Sequence, residues 1–151
     1  MRILTISLGQ RAMFALLLGI GLLFGHAAGA ITVTRSPTAC ASVAGIGTVA
    51  WSNPARAVSS NNSYATAVVD GTTTRYLRCT GYNFAIPTGA TINGITVSVE
   101  RRSNRITDGG SRDAAMRVVK AGVIGATDRS TATIYTTADV IEAHGGAADL
   151  W

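Results

Sequence analysis

Three features predict an all-β protein. Charged residues make up 14% of the 151-residue chain, well below the quarter usual in globular proteins. Thr, Ser, Val, Ala and Gly are abundant, the usage of strands and tight turns. From Thr48 onward, short apolar–polar alternations follow one another with turn residues between them, and no stretch beyond residue 30 carries a long apolar pattern at helical spacing.

The first 30 residues read differently. Arg2 and Arg11 give a positive start, Ala12 to Gly25 is an uninterrupted apolar run, and Ala28-Gly29-Ala30 has the small-x-small pattern of a cleavage site. This is the layout of an export signal. The run is shorter than the roughly 20 residues of a membrane span, and no charged stop follows it, so no stable membrane insertion is expected after cleavage. Cleavage after Ala30 predicts a mature chain that begins at Ile31 and works as a secreted or cell-surface bacterial protein.

Residues 31–47 form a polar N-terminal segment, and residues 48–151 the β domain. Thr48–Trp51 predicts a short strand ended by Ser52-Asn53-Pro54, because Pro lacks the ladder donor. Tyr64–Val69 predicts a second, closed by the turn pair Asp70-Gly71. Arg75–Ile86 predicts a longer strand. Apolar residues occupy both of its parities, which suits burial on two faces or a bulge near Gly81. After the Pro87–Ala90 turn comes the clearest strand, with Ile95, Val97 and Val99 on one face and Thr96, Ser98 and Glu100 on the other. Ala90 and Ile92 have the opposite parity, so a register shift is expected at Asn93-Gly94. The polar run Arg101–Arg112 predicts a loop, Ala114–Ala121 a strand, Gly122–Gly125 a tight link, and Thr131–Tyr135 a last short strand. Thr136–Ala148 is the least strand-like part, where Ala138, Val140, Ile141 and Ala143 predict one helical turn. Six short strands with close turns predict an antiparallel β-sandwich of jelly-roll or immunoglobulin-like type.

Cys40 and Cys79 both lie beyond the leader. In an oxidising compartment an even count predicts a disulfide between them. No second pair of ligands is spaced near either cysteine, so no metal site is expected there, and no cofactor is implied. The chain carries 13 Lys+Arg and 8 Asp+Glu; removing Arg2 and Arg11 leaves 11 against 8, a net charge of +3. Only Arg101, Arg102 and Arg105 cluster. That is no basic stripe with interleaved aromatics, and it excludes nucleic acid as an expected partner.

No catalytic residues stand out. Beyond the leader there is one histidine, His144, expected on the surface of a mobile loop, and no G-x-S-x-G element. Glu100 is expected in an exposed ion pair with Arg101. Asp108-Gly109-Gly110-Ser111-Arg112-Asp113 puts two acids in a Gly-containing loop, but the spacing is not that of a calcium loop and an ordinary turn is expected. Trp51 and Trp151 are candidate platforms for stacking sugar rings, which makes a carbohydrate-binding module the alternative reading, with glycans as partners.

Four stretches carry a resemblance: Ala50-Trp51-Ser52-Asn53-Pro54, the run from Phe84 through Ile86-Pro87-Thr88-Gly89-Ala90-Thr91-Ile92 to Ile95, Val119-Lys120-Ala121-Gly122, and Gly145-Gly146-Ala147-Ala148-Asp149-Leu150-Trp151. The chain resembles an uncharacterised module of bacterial secreted proteins and phage structural proteins over most of Ala50–Trp151. In that module the chain continues past the matching Trp with at least one more strand, so the resemblance implies an incomplete C-terminus. It also implies a non-catalytic structural or interaction role, with other surface proteins or further copies as partners. If a strand is missing, an open edge would accept one from a neighbour, and repeated exchange builds filaments. Ile31 and Val33, freed by cleavage, alternate suitably to be that donor.

Overall fold

The computed structural model describes residues 2–9, 30–105 and 109–151. These form β1 (Arg2–Gly9), β2 (Ile31–Arg35), β3 (Ala39–Val43), β4 (Tyr76–Thr80), β5 (Thr91–Arg101), β6 (Val119–Lys120), β7 (Val123–Ile124) and β8 (Val140–Gly146), with a 3₁₀ turn at Pro54–Val58. The all-β expectation holds, in the form of small antiparallel sheets. One has four strands in the order β2-β1-β5-β8; the others are the pairs β3-β4 and β6-β7. Among the described residues no helix is long and apolar enough to cross a membrane.

The 11-residue β5 organises the larger sheet. Its pleat sets Ile95, Val97, Val99 and Arg101 on one face, and Ile95 and Val99 are among the most buried residues. Trp151 packs on Ile95, with Val33, Phe84, Ile92, Met116 and Val118 around them. The expected register shift is present. β1 pairs Ser7 with Gly94 but Leu8 with Ile92, which leaves Asn93 as the extra residue. The bulge brings Ile92 into the parity of Ile95, so both reach one core. The Trp151 indole N–H donates to the Ile95 carbonyl at 2.9 Å. Gly145 makes room for that ring: it has φ +75°, and a Cβ there would stand 2.3 Å from Trp151 Nε1.

β3 and β4 carry the predicted disulfide. Cys40 and Cys79 lie directly opposite each other, with Cα atoms 4.1 Å apart. Cys40 is the one buried residue between Ala39 and Thr80, so this lobe has little core of its own.

Several elements differ from the sequence reading. The helical turn expected in Thr136–Ala148 is instead β8, because β-branched Val140 and Ile141 suit a strand and β5 supplies partners from Ile95↔Gly146 to Arg101↔Val140. Thr48–Trp51 and Tyr64–Val69 make only single bridges, Val49↔Thr74 and Ser52↔Thr66. The Arg75–Ile86 strand is shorter than expected. It stops at Thr80, since Gly81, Asn83 and Ala85 all take positive φ. Of Ala114–Ala121 only Val119–Lys120 is a strand. It pairs with β7 across Ala121-Gly122, both at positive φ, the hairpin geometry of a type I′ turn. Thr131–Tyr135 forms no strand; the Tyr135 amide donates to Ser111 and the Arg129 amide to Met116, each at 2.8 Å.

The leader divides. Its residues 2–9 lie as β1 between β2 and β5, whereas the apolar run Ala12–Gly25 and Ala28 lie outside the described residues, as does Ala28's neighbour Gly29. Ala30 is exposed just before β2.

Candidate functional site

A polar cluster buried in the larger sheet grows from an inverted strand. The register of β8 on β5 sets Glu142 beside Val99 and His144 beside Val97, in the inward row of β5 that ends at Arg101. On β8 the usual alternation is reversed: Ile141 is 59% exposed, while His144 is 2% exposed. Polar groups placed inside must find partners. The irregular segment 111–135 supplies most of them; Arg101 Nη1, Arg129 Nε and His144 Nε2 are buried without a hydrogen bond among the described residues.

The Arg101 guanidinium reaches two carboxylates. Its Nη1 is 2.8 Å from Asp113 Oδ2, and its Nη2 pairs with Glu142 Oε2. It also sits 4.3 Å from the centre of the Tyr135 ring, a cation–π contact. The outer carboxylate oxygens are held as well. Tyr135 Oη donates to Asp113 Oδ1 at 2.6 Å, and Thr131 Oγ1 donates to Glu142 Oε1 at 2.7 Å. His144 Nδ1 lies 2.7 Å from the Arg129 carbonyl. A carbonyl only accepts, so Nδ1 carries the hydrogen. The other nitrogen, Nε2, is buried without a hydrogen-bond partner among the described residues; it faces Asp113 Oδ2 at 3.7 Å. A shallow cavity of about 130 Å³, bordered by Arg101, Tyr135 and Glu142, opens beside the cluster.

Burial, then the hydrogen bond to Asp113, pushes the Tyr135 phenol up from its ordinary 10.0 to about 12. The folded value lies above the unfolded one, so this contribution to stability is complete below pH 10 and is lost as pH rises from 10 through 12. A spectrophotometric titration at 295 nm is expected to show a phenol ionising about two units late. That phase should vanish in Tyr135→Phe; its persistence there would contradict the assignment.

The cluster holds charge rather than a nucleophile. Its hydroxyls, Thr131 and Tyr135, both donate to carboxylates and neither faces His144 Nε2, so no nucleophile–base pair is assembled.

The residues singled out in the sequence fall in different places. Cys40 and Cys79 form the disulfide. Ile31 and Val33 lie on β2; Ile31 is half exposed and Val33 packs on the core. Trp51 donates its indole N–H to the Arg75 carbonyl at 2.7 Å beside β3 and β4. Trp151 is buried against β5 and borders a second cavity of about 170 Å³ with Val118, Lys120 and Thr127. The two tryptophans therefore make no common stacking platform. Three expectations are corrected. His144 is no surface residue of a mobile loop but a buried member of β8. Arg101 points away from Glu100, as neighbours on a strand must, and pairs with Asp113 and Glu142. The Arg101-Arg102-Arg105 cluster is thereby divided between the interior and the surface. Asp113 turns inward from its Gly-containing loop, while Asp108 lies outside the described residues.

No protein-family model, curated protein or solved structure matches this chain.

Proposed function

We propose that this chain is an exported, non-catalytic β-sandwich module of the cell surface or an extracellular assembly, which joins copies of itself by strand exchange. One observation carries the reading. The strand between β2 and β5 is Arg2–Gly9, drawn from the segment that reads as a cleaved leader. Cleavage after Ala30 would release β2 from its strand neighbour and uncover the ladder edge of β5 in the same event. An uncovered edge beside an apolar face is an acceptor. The register suits β2 of a second copy as the donor: Val33 and Ile31 align through β1 with Ile95 and Ile92, so a strand of the same alternation can take the vacated place. Such exchange runs head to tail and extends into filaments when it does not close. The disulfide supports an oxidising destination.

Mass spectrometry of the exported protein, followed by light scattering across concentrations, tests this. The expected result is an N-terminus at Ile31 and association that Val33→Asp abolishes. An intact leader, or monomers alone at high concentration, would overturn it. A glycan array is expected to be blank, since the buried Trp151 offers no free ring face to a sugar.

A further inference from the structure

We propose that Asp113, Glu142 and His144 form a binding site for a divalent transition ion of the zinc class. The inference is independent of export and of strand exchange.

One ligand atom from each of these three residues lies within 4.8 Å of the others. Proximity of acids alone would not point to an ion. The second observation is His144 Nε2, an unpartnered atom on a side chain that is 0% exposed, aimed at Asp113 Oδ2 from 3.7 Å. With the hydrogen on Nδ1, Nε2 presents a lone pair to a carboxylate oxygen. Two electron-rich atoms facing each other in a buried site are relieved by a positive centre between them, a proton on Nε2 or a bound ion, and a Zn²⁺ titration separates the two. For the His144–Asp113 pair, 3.7 Å apart, the spacing is close to that of two ligands about 2.1 Å from one ion, which at angles between tetrahedral and trigonal stand roughly 3.4–3.6 Å apart.

His144 is also oriented as a ligand is. A metal-bound imidazole characteristically donates its other N–H to a carbonyl or carboxylate, and the Arg129 carbonyl serves here at 2.7 Å. Thr131 and Tyr135 hold the two carboxylates in the same manner. One nitrogen and two single carboxylates favour a zinc-class ion over calcium, which takes six to eight oxygens.

Arg101 does not exclude the ion. One guanidinium faces two carboxylates, so the negative charge of the cluster is not fully matched by Arg101. Each carboxylate oxygen has two lone pairs, so Asp113 and Glu142 can each face the guanidinium on one side and ligate on the other.

The test uses the full chain, stripped with a chelator and titrated with Zn²⁺ in a calorimeter. Binding of one ion is expected, with a rise in melting temperature. His144→Gln should lose more than about 100-fold in affinity, beyond the 10–100-fold typical of removing an outer partner. To separate binding from folding, the wild-type imidazole ¹⁵N spectrum is recorded in parallel: the chain has two histidines, and Zn²⁺ should move the His144 Nε2 resonance. Absence of binding, binding retained at full affinity in folded His144→Gln, or an unmoved His144 resonance at saturation would each overturn the site.

Discussion

Arg101→Met is expected to destabilise the fold by about 3–5 kcal/mol, the range for removing one partner of a buried ion pair. Arg101 is 7% exposed at its side chain, Asp113 5% and Glu142 18%. Methionine fills a similar volume and supplies no donor, so two carboxylates stay buried with only Tyr135 and Thr131 to solvate them. The loss therefore comes from stranded charge rather than from a cavity. A second variant separates these causes. Arg101→Met combined with Asp113→Asn and Glu142→Gln removes both negative charges, and most of the stability should return, since replacing a whole buried ionic group is often close to neutral. Urea unfolding midpoints measure all of it. If the triple variant is as unstable as the single one, packing and not charge is what Arg101 provides.

The same cluster shows where sequence reading succeeds and fails. β5 was legible because Ile95, Val97 and Val99 alternate strictly with Thr96, Ser98 and Glu100. Even its bulge was legible, since Ile92 breaks parity next to a glycine. The disulfide followed from two cysteines beyond a segment that reads as an export signal. β8 was not legible, and the reason is physical. In Val140–His144 the apolar residues Ile141 and Ala143 alternate with Glu142 and His144, so a hydrophobic reading would bury Ile141. The observed strand buries the other face, because Arg101 waits on β5 to neutralise what β8 brings. That compensation joins residues 12 to 43 positions apart along the chain, and no local pattern records it. β1 was missed for a different reason. Arg2–Gly9 has strand-like composition, but its position ahead of the apolar run assigned it to the leader. The strands expected in 111–135 narrowed to one short hairpin, as the segment bends to bring Asp113, Thr131 and Tyr135 onto the sheet.

Removing the Cys40–Cys79 bond, by reduction or by the paired Cys→Ala variant, is expected to weaken the protein by about 4 kcal/mol in the chain-entropy account. The bond closes a separation of 39 residues, and the segment it encloses has few other means of holding together. Between Ala39 and Thr80 only Cys40 is buried; the rest is the five-pair β3-β4 ladder, the 3₁₀ turn and single bridges. A two-stranded ladder without a core is marginal in water, so this lobe should open before the larger sheet does. The tryptophans report the two parts separately. Trp51 is anchored to Arg75 inside the lobe, and Trp151 to Ile95 on the sheet. On adding a reductant, the fluorescence of a Trp151→Phe variant should shift to the red at denaturant concentrations where a Trp51→Phe variant is still unchanged. Hydrogen exchange should follow the same order, with amides of β3 and β4 losing protection first. Coincident transitions from both probes would instead make the lobe and the sheet one cooperative unit, held by contacts other than the bond.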